Sequence, residues 1–110
     1  MNEAIEDYIA KYNTEIKKLF YDIRELILKS VLCEIEEKLW TKLPSFYVGE
    51  KFIRIIPFKD HINIEAVAII EHKQQLEQFK LTPKGMLQIY LNQDVPSTVL
   101  AEIFNATLMG

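Results

Sequence analysis

The chain has 110 residues, 49% of them hydrophobic and 26% charged. Those are the proportions of a single globular domain over residues 1–110, and they exclude a disordered or low-complexity chain. Thirteen basic residues against sixteen acidic ones give a formal charge of −3, a balance that does not favour nucleic acid, whose phosphates select clustered Lys and Arg.

The acidic opening, with Glu3, Glu6 and Asp7, lacks the basic and apolar regions of a signal peptide. Ile5, Tyr8, Ile9 and Tyr12 follow helical spacing and predict a short first helix. Asn13 or Thr14 is suited to cap a second helix. Ile16, Leu19, Phe20, Ile23, Leu26, Ile27 and Val31 keep one stripe through that helix, with Glu15, Lys17, Lys18, Asp22, Glu25 and Lys29 opposite. Cys33 is the only cysteine, so no intrachain disulfide forms, which suits a reducing compartment. No apolar run reaches the roughly 20 residues that a membrane span needs. The expectation is a soluble cytoplasmic protein with no membrane contact.

From Cys33 to Leu43 the pattern is mixed and predicts a turn or short helix, then a strand near 38–42. Pro44 stops any helix before it. A short strand is expected over Ser45–Val48, and Gly49-Glu50 reads as a turn. Lys51–Glu65 is the expected centre of the fold, two strands meeting at Phe58-Lys59-Asp60-His61. In the first, Ile53 and Ile55 face one way and Phe52, Arg54, Ile56 and Phe58 the other. Pro57 donates no ladder hydrogen bond and belongs at a strand end. In the second, Ile62 and Ile64 point inward.

A helix is expected over about 70–79, then a loop at Thr82-Pro83-Lys84-Gly85. Met86–Leu91 alternates as an edge strand, one that could pair across a two-fold axis. Pro96 suits the first position of a last helix whose buried stripe is Leu100, Ile103, Phe104 and Leu108. The architecture that follows is α+β: a small antiparallel sheet of about four to five strands, covered on one face by the N-terminal and C-terminal helices.

Three groups could carry chemistry. Lys59 and His61 at the hairpin corner, with Lys84 beside Gly85, could hold a small anion or a protein partner through ammonium groups and loop N–H groups. Glu3, Glu6 and Asp7 form an acidic helix face on which hard cations or ferrous iron could bind loosely, and Glu34 with Glu37 makes another acidic pair. Each is weighed against a plain solvated surface, which is the commoner fate of such charges. His72, Glu71 and Glu65 lack the tight spacing of a metal motif. An enzyme ranks last, because no nucleophile–base pattern or metal motif occurs.

The order Tyr8-Ile9, a long apolar helix, Leu43-Pro44-Ser45-Phe46, Pro57-Phe58-Lys59-Asp60-His61-Ile62, Lys84-Gly85-Met86 and Val95-Pro96 resembles the YdhG-like family of small bacterial proteins over nearly the whole chain. That family usually shows Gly-Met-Pro where this chain has Lys42-Leu43-Pro44, and Thr-Ser-Lys-Gly-Thr at the Lys84-Gly85 loop. The resemblance implies an α+β domain. Most members of that family have no assigned activity, and some are described as frataxin-like iron chaperones, which for this chain implies a non-enzymatic carrier with weakly bound iron as cargo and an iron-accepting protein as partner, as monomer or homodimer.

Overall fold

A computed structural model describes residues 2–110. Two helices, α1 (Glu3–Ile9) and α2 (Thr14–Lys29), precede four antiparallel strands: β1 (Glu36–Trp40), β2 (Leu43–Val48), β3 (Lys51–Pro57) and β4 (His61–Ala66). A 3₁₀ segment (Val67–Leu76), two more strands, β5 (Lys80–Leu81) and β6 (Leu87–Tyr90), and helix α3 (Ser97–Met109) complete the chain. The six strands form one antiparallel sheet in the order β1-β2-β3-β4-β6-β5. The α+β class is as expected, with six strands rather than four to five.

Asn13 is the N-cap of α2. Its Oδ1 accepts from the Ile16 amide at 2.9 Å, and its Nδ2 donates to the Lys59 carbonyl at 3.0 Å. One side chain thus satisfies an orphan helix donor and ties α2 to the β3–β4 turn. The stripe of α2 is buried as its spacing requires, with Ile16, Phe20, Ile23 and Ile27 fully sealed. Leu100, Ile103, Phe104 and Leu108 of α3 meet it from the other end of the chain. Both helices lie on the sheet face formed by Phe46, Ile53, Ile55, Ile62, Ile64, Leu87 and Ile89, all buried. Pro57 ends β3, where its missing donor breaks nothing.

Four local expectations are corrected. The strand after Cys33 begins at Glu36, because Glu36–Trp40 pairs with Tyr47–Leu43. Its Glu37 is not a surface carboxylate: Arg24 of α2 holds it through two hydrogen bonds, at 2.7 and 2.8 Å, and the pair is mostly buried. The segment expected as a helix over about 70–79 is a 3₁₀ segment ending at Leu76, kinked at His72 (φ −113°, ψ 16°). Phe79 lies beyond it, half-buried, so the segment's inward residues are Ala68, Ile69 and Leu76.

The strand over 86–91 is not an edge, since β4 flanks β6 on one side and β5 on the other. Where β5 ends, Gln93 takes over: its Oε1 accepts from the Tyr90 amide at 2.8 Å, and its Nε2 donates to the Gln78 carbonyl. That blunts the open stretch against strand pairing. At the opposite edge, Asn2 Nδ2 donates to the Glu37 carbonyl at 3.1 Å, and α1 rests on β1.

The β1–β2 hairpin has a two-residue loop, Thr41-Lys42, with φ of 46° and 68°. Positive φ at both positions is the requirement of a type I′ turn, for which Asn-Gly is the preferred pair. A β-branched residue there is strained. Replacing Thr41-Lys42 by Asn-Gly is therefore expected to stabilise the protein by about 1 kcal/mol, read as a higher denaturation midpoint at unchanged slope. A neutral or destabilising result would mean that the native loop carries no strain.

No helix among the described residues is long and apolar enough to cross a membrane.

Candidate functional site

Strand alternation sends the remaining side chains to a sheet face that carries no helix. At its centre Arg54 of β3 is only 6% exposed. A buried guanidinium is tolerable only when its donors are met. Here Nε donates to Ser45 Oγ at 3.1 Å, one terminal nitrogen to the Tyr47 hydroxyl at 3.0 Å, and the other to Glu65 Oε1 at 3.4 Å. The Trp40 and Phe52 ring centroids each lie 3.8 Å from the guanidinium carbon. The pairing register explains the assembly, because Ser45 and Glu65 are the cross-strand partners of Arg54 on either side. Each of the three guanidinium nitrogens has an acceptor and a ring lies against each flat face, which makes Arg54 a structural centre rather than an open anion receptor.

His61, expected as an exposed strand-end residue, is instead half-buried in a three-ring stack. The Phe58 and Tyr90 centroids each lie 4.5 Å from its ring, at interplanar angles of 5° and 22°. Tyr90 is its cross-strand partner on β6. His61 Nδ1 and Asp60 Oδ1 are 2.8 Å apart, and that hydrogen bond holds the Asp60 carboxyl below its ordinary value. A lowered folded-state pKa means that this contact favours the fold while Asp60 is ionised. The contribution fades as pH falls below the ordinary aspartate range. Between the stack and Arg54, the buried Asn63 Oδ1 accepts no hydrogen bond.

A second arrangement lies at the far end of β4. A cleft of about 510 Å³ is bounded by the β2–β3 turn, the end of β4, the 3₁₀ segment, the β5–β6 loop and α3. Five separate segments converge on it. Phe52, Ala66, Val67, Ile70 and Met86 line it with apolar surface, and Lys51, Lys84, Glu50 and Glu65 supply its charges. The size is within the range of small-molecule clefts. Among the described residues, neither Lys51 nor Lys84 makes an ion pair.

The structure separates the residues predicted to form one anion site. Lys59 and His61 precede and open β4, whereas Lys84 lies beside its end at Ala66. β4 is six residues long, so its two ends lie roughly 17 Å apart at the usual rise per residue. Lys84 belongs to the cleft and the other two to the aromatic stack. The loop N–H groups expected to assist Lys84 are also committed: the Gly85 amide donates to the Thr82 carbonyl at 2.8 Å and the Met86 amide to Thr82 Oγ1 at 3.1 Å. Gly85 takes a φ of 86°, which closes that loop.

Glu3, Glu6 and Asp7 are exposed on α1 and make no ion pair among the described residues. No three His, Cys, Asp or Glu side chains among those residues converge closely enough to hold a metal. His72 is turned inward, its Nδ1 2.9 Å from the Ala68 carbonyl.

Sequence reasoning missed Lys51, Val67 and Ile70. Lys51 follows a turn, Val67 follows a strand end and Ile70 lies inside the 3₁₀ segment, and each gains meaning only from neighbours distant in the chain. The one available signal was two bulky apolar residues, Val67 and Ile70, flanking a stretch whose buried positions are Ala68 and Ile69.

No protein-family model, no curated protein and no solved structure matches this chain.

Proposed function

We propose that this protein is a binding module that takes a small anion in the cleft between Lys51 and Lys84. One observation carries the reading. Two unpaired ammonium groups, from turns distant in sequence, share the border of a concave and largely apolar cleft. Glu65 also lines it, but Arg54 offsets its charge. The unpaired charges are then Lys51 and Lys84 against Glu50, an excess of positive charge that favours an anion.

Titration with sodium acetate, followed by backbone amide shifts, is the direct test. Saturable shifts are expected at Lys51, Lys84 and Gly85. Lys84→Gln should weaken binding about fivefold, the scale of one solvent-exposed charge contact. Shifts centred on Lys59 and His61, or an affinity unchanged by Lys84→Gln, would defeat the assignment.

A second reading is supported by the exposed carboxylates of Glu3, Glu6 and Asp7, which make no ion pair among the described residues. It is a frataxin-like carrier of loosely held iron that serves an iron-accepting protein. Anaerobic titration with ferrous iron should then saturate, and the triple change of Glu3 and Glu6 to Gln and Asp7 to Asn should abolish saturation. Uptake that never saturates, or is indifferent to those changes, ends that reading.

A further inference from the structure

The 3₁₀ segment exposes two bulky apolar side chains beside the cleft. Val67 is 76% exposed and Ile70 is 61% exposed, although both line a concave surface rather than a convex one. Their neighbours Ala68 and Ile69 already supply the segment's contact with the core. The backbone is anchored as well, since the Ala68 amide donates to Thr107 Oγ1 of α3 at 3.2 Å. Val67 and Ile70 therefore serve no packing role. Exposed apolar surface of this kind, next to placed charges, marks a ligand groove.

Resting on the anion reading above, we infer that the ligand is an amphipathic monocarboxylate. Its head lies between Lys51 and Lys84, and its aliphatic chain lies on Val67, Ile70 and Met86. Charge decides the head group. Two free ammoniums against the free carboxylate of Glu50 match a single negative charge better than the double charge of a phosphate ester. The Gly85 and Met86 amides are bonded to Thr82, so no array of N–H groups is offered to a tetrahedral anion. A flat carboxylate held by two flexible ammoniums needs no such array.

The test is a chain-length series of butyrate, hexanoate and octanoate at submicellar concentration, with octylamine and octanol as controls. Affinity is expected to rise about fourfold for each methylene buried. The methyl resonances of Val67 and Ile70 should move with octanoate. Val67→Ser with Ile70→Ser should flatten the series, and both side chains are exposed enough for the variant to fold. Three outcomes overturn the inference in different ways. Equal affinity along the series leaves a plain anion site and removes the chain. Octylamine or octanol binding as tightly as octanoate removes the anion and leaves an apolar groove. No binding by any of these probes removes both.

Discussion

Arg54→Ala is expected to lower the free energy of unfolding by about 3 kcal/mol, from one charge-assisted hydrogen-bond set and two ring contacts together. For a domain of this size that is a fall in Tm of roughly 12 °C. The guanidinium is the filling between Trp40 and Phe52 and the donor to Ser45, Tyr47 and Glu65. Truncation leaves two rings without a partner between them and three polar groups without their donor. Arg54→Lys keeps the charge but loses the planar fork, and should recover less than half of the loss. Arg54→Met fills the space without a charge to satisfy, and should cost less than the alanine change. Trp40 is the only tryptophan, so its fluorescence reports on the same stack. Greater quenching by acrylamide is expected in the alanine variant. A loss below about 1 kcal/mol, the value of an ordinary surface pair, would show that the sandwich does not hold the sheet.

The second large effect concerns the seam between the helices. Phe104→Ala should cost about 4 kcal/mol, as aromatic truncations in a sealed core do. Phe104 has no exposed surface and sits on α3, which packs on both α2 and β3. Domains of this size are stable by only about 5–15 kcal/mol, so the variant should be close to half-unfolded at modest denaturant. Urea titration with an unchanged slope is the measurement. Phe79→Ala is the matched control, because Phe79 is half-buried at the margin of the core and should cost much less. Equal losses at the two positions would mean that the α2–α3 seam is not the centre of stability.

The two sites were legible in the chain to different degrees. Lys84-Gly85 stood out as a loop with a cation, and it does border the cleft. Its association with Lys59 and His61 did not follow, because antiparallel pairing places the two turns at opposite ends of β4. His61 looked exposed because it follows the polar turn Lys59-Asp60. Phe58 and Tyr90, three residues before it and on another strand, enclose it. Arg54 gave no sign of burial, since the groups that enclose it come from five other positions across four strands.

What the sequence by itself determined are the features that rest on local periodicity and backbone chemistry. The stripes of α2 and α3, the alternation in β3 and β4, the Asn13 cap and the strand-ending Pro57 each depend on residues a few positions apart. Only the tertiary structure decided the rest. Glu36–Trp40 becomes a strand because β2 pairs with it, and Glu37 turns inward because Arg24 waits on α2. Val67–Leu76 tightens into a 3₁₀ segment under α3, where its weak stripe could not impose an α-helix. The cleft exists because five segments meet. Burial and charge balance are sums over neighbours that the linear order of residues does not contain.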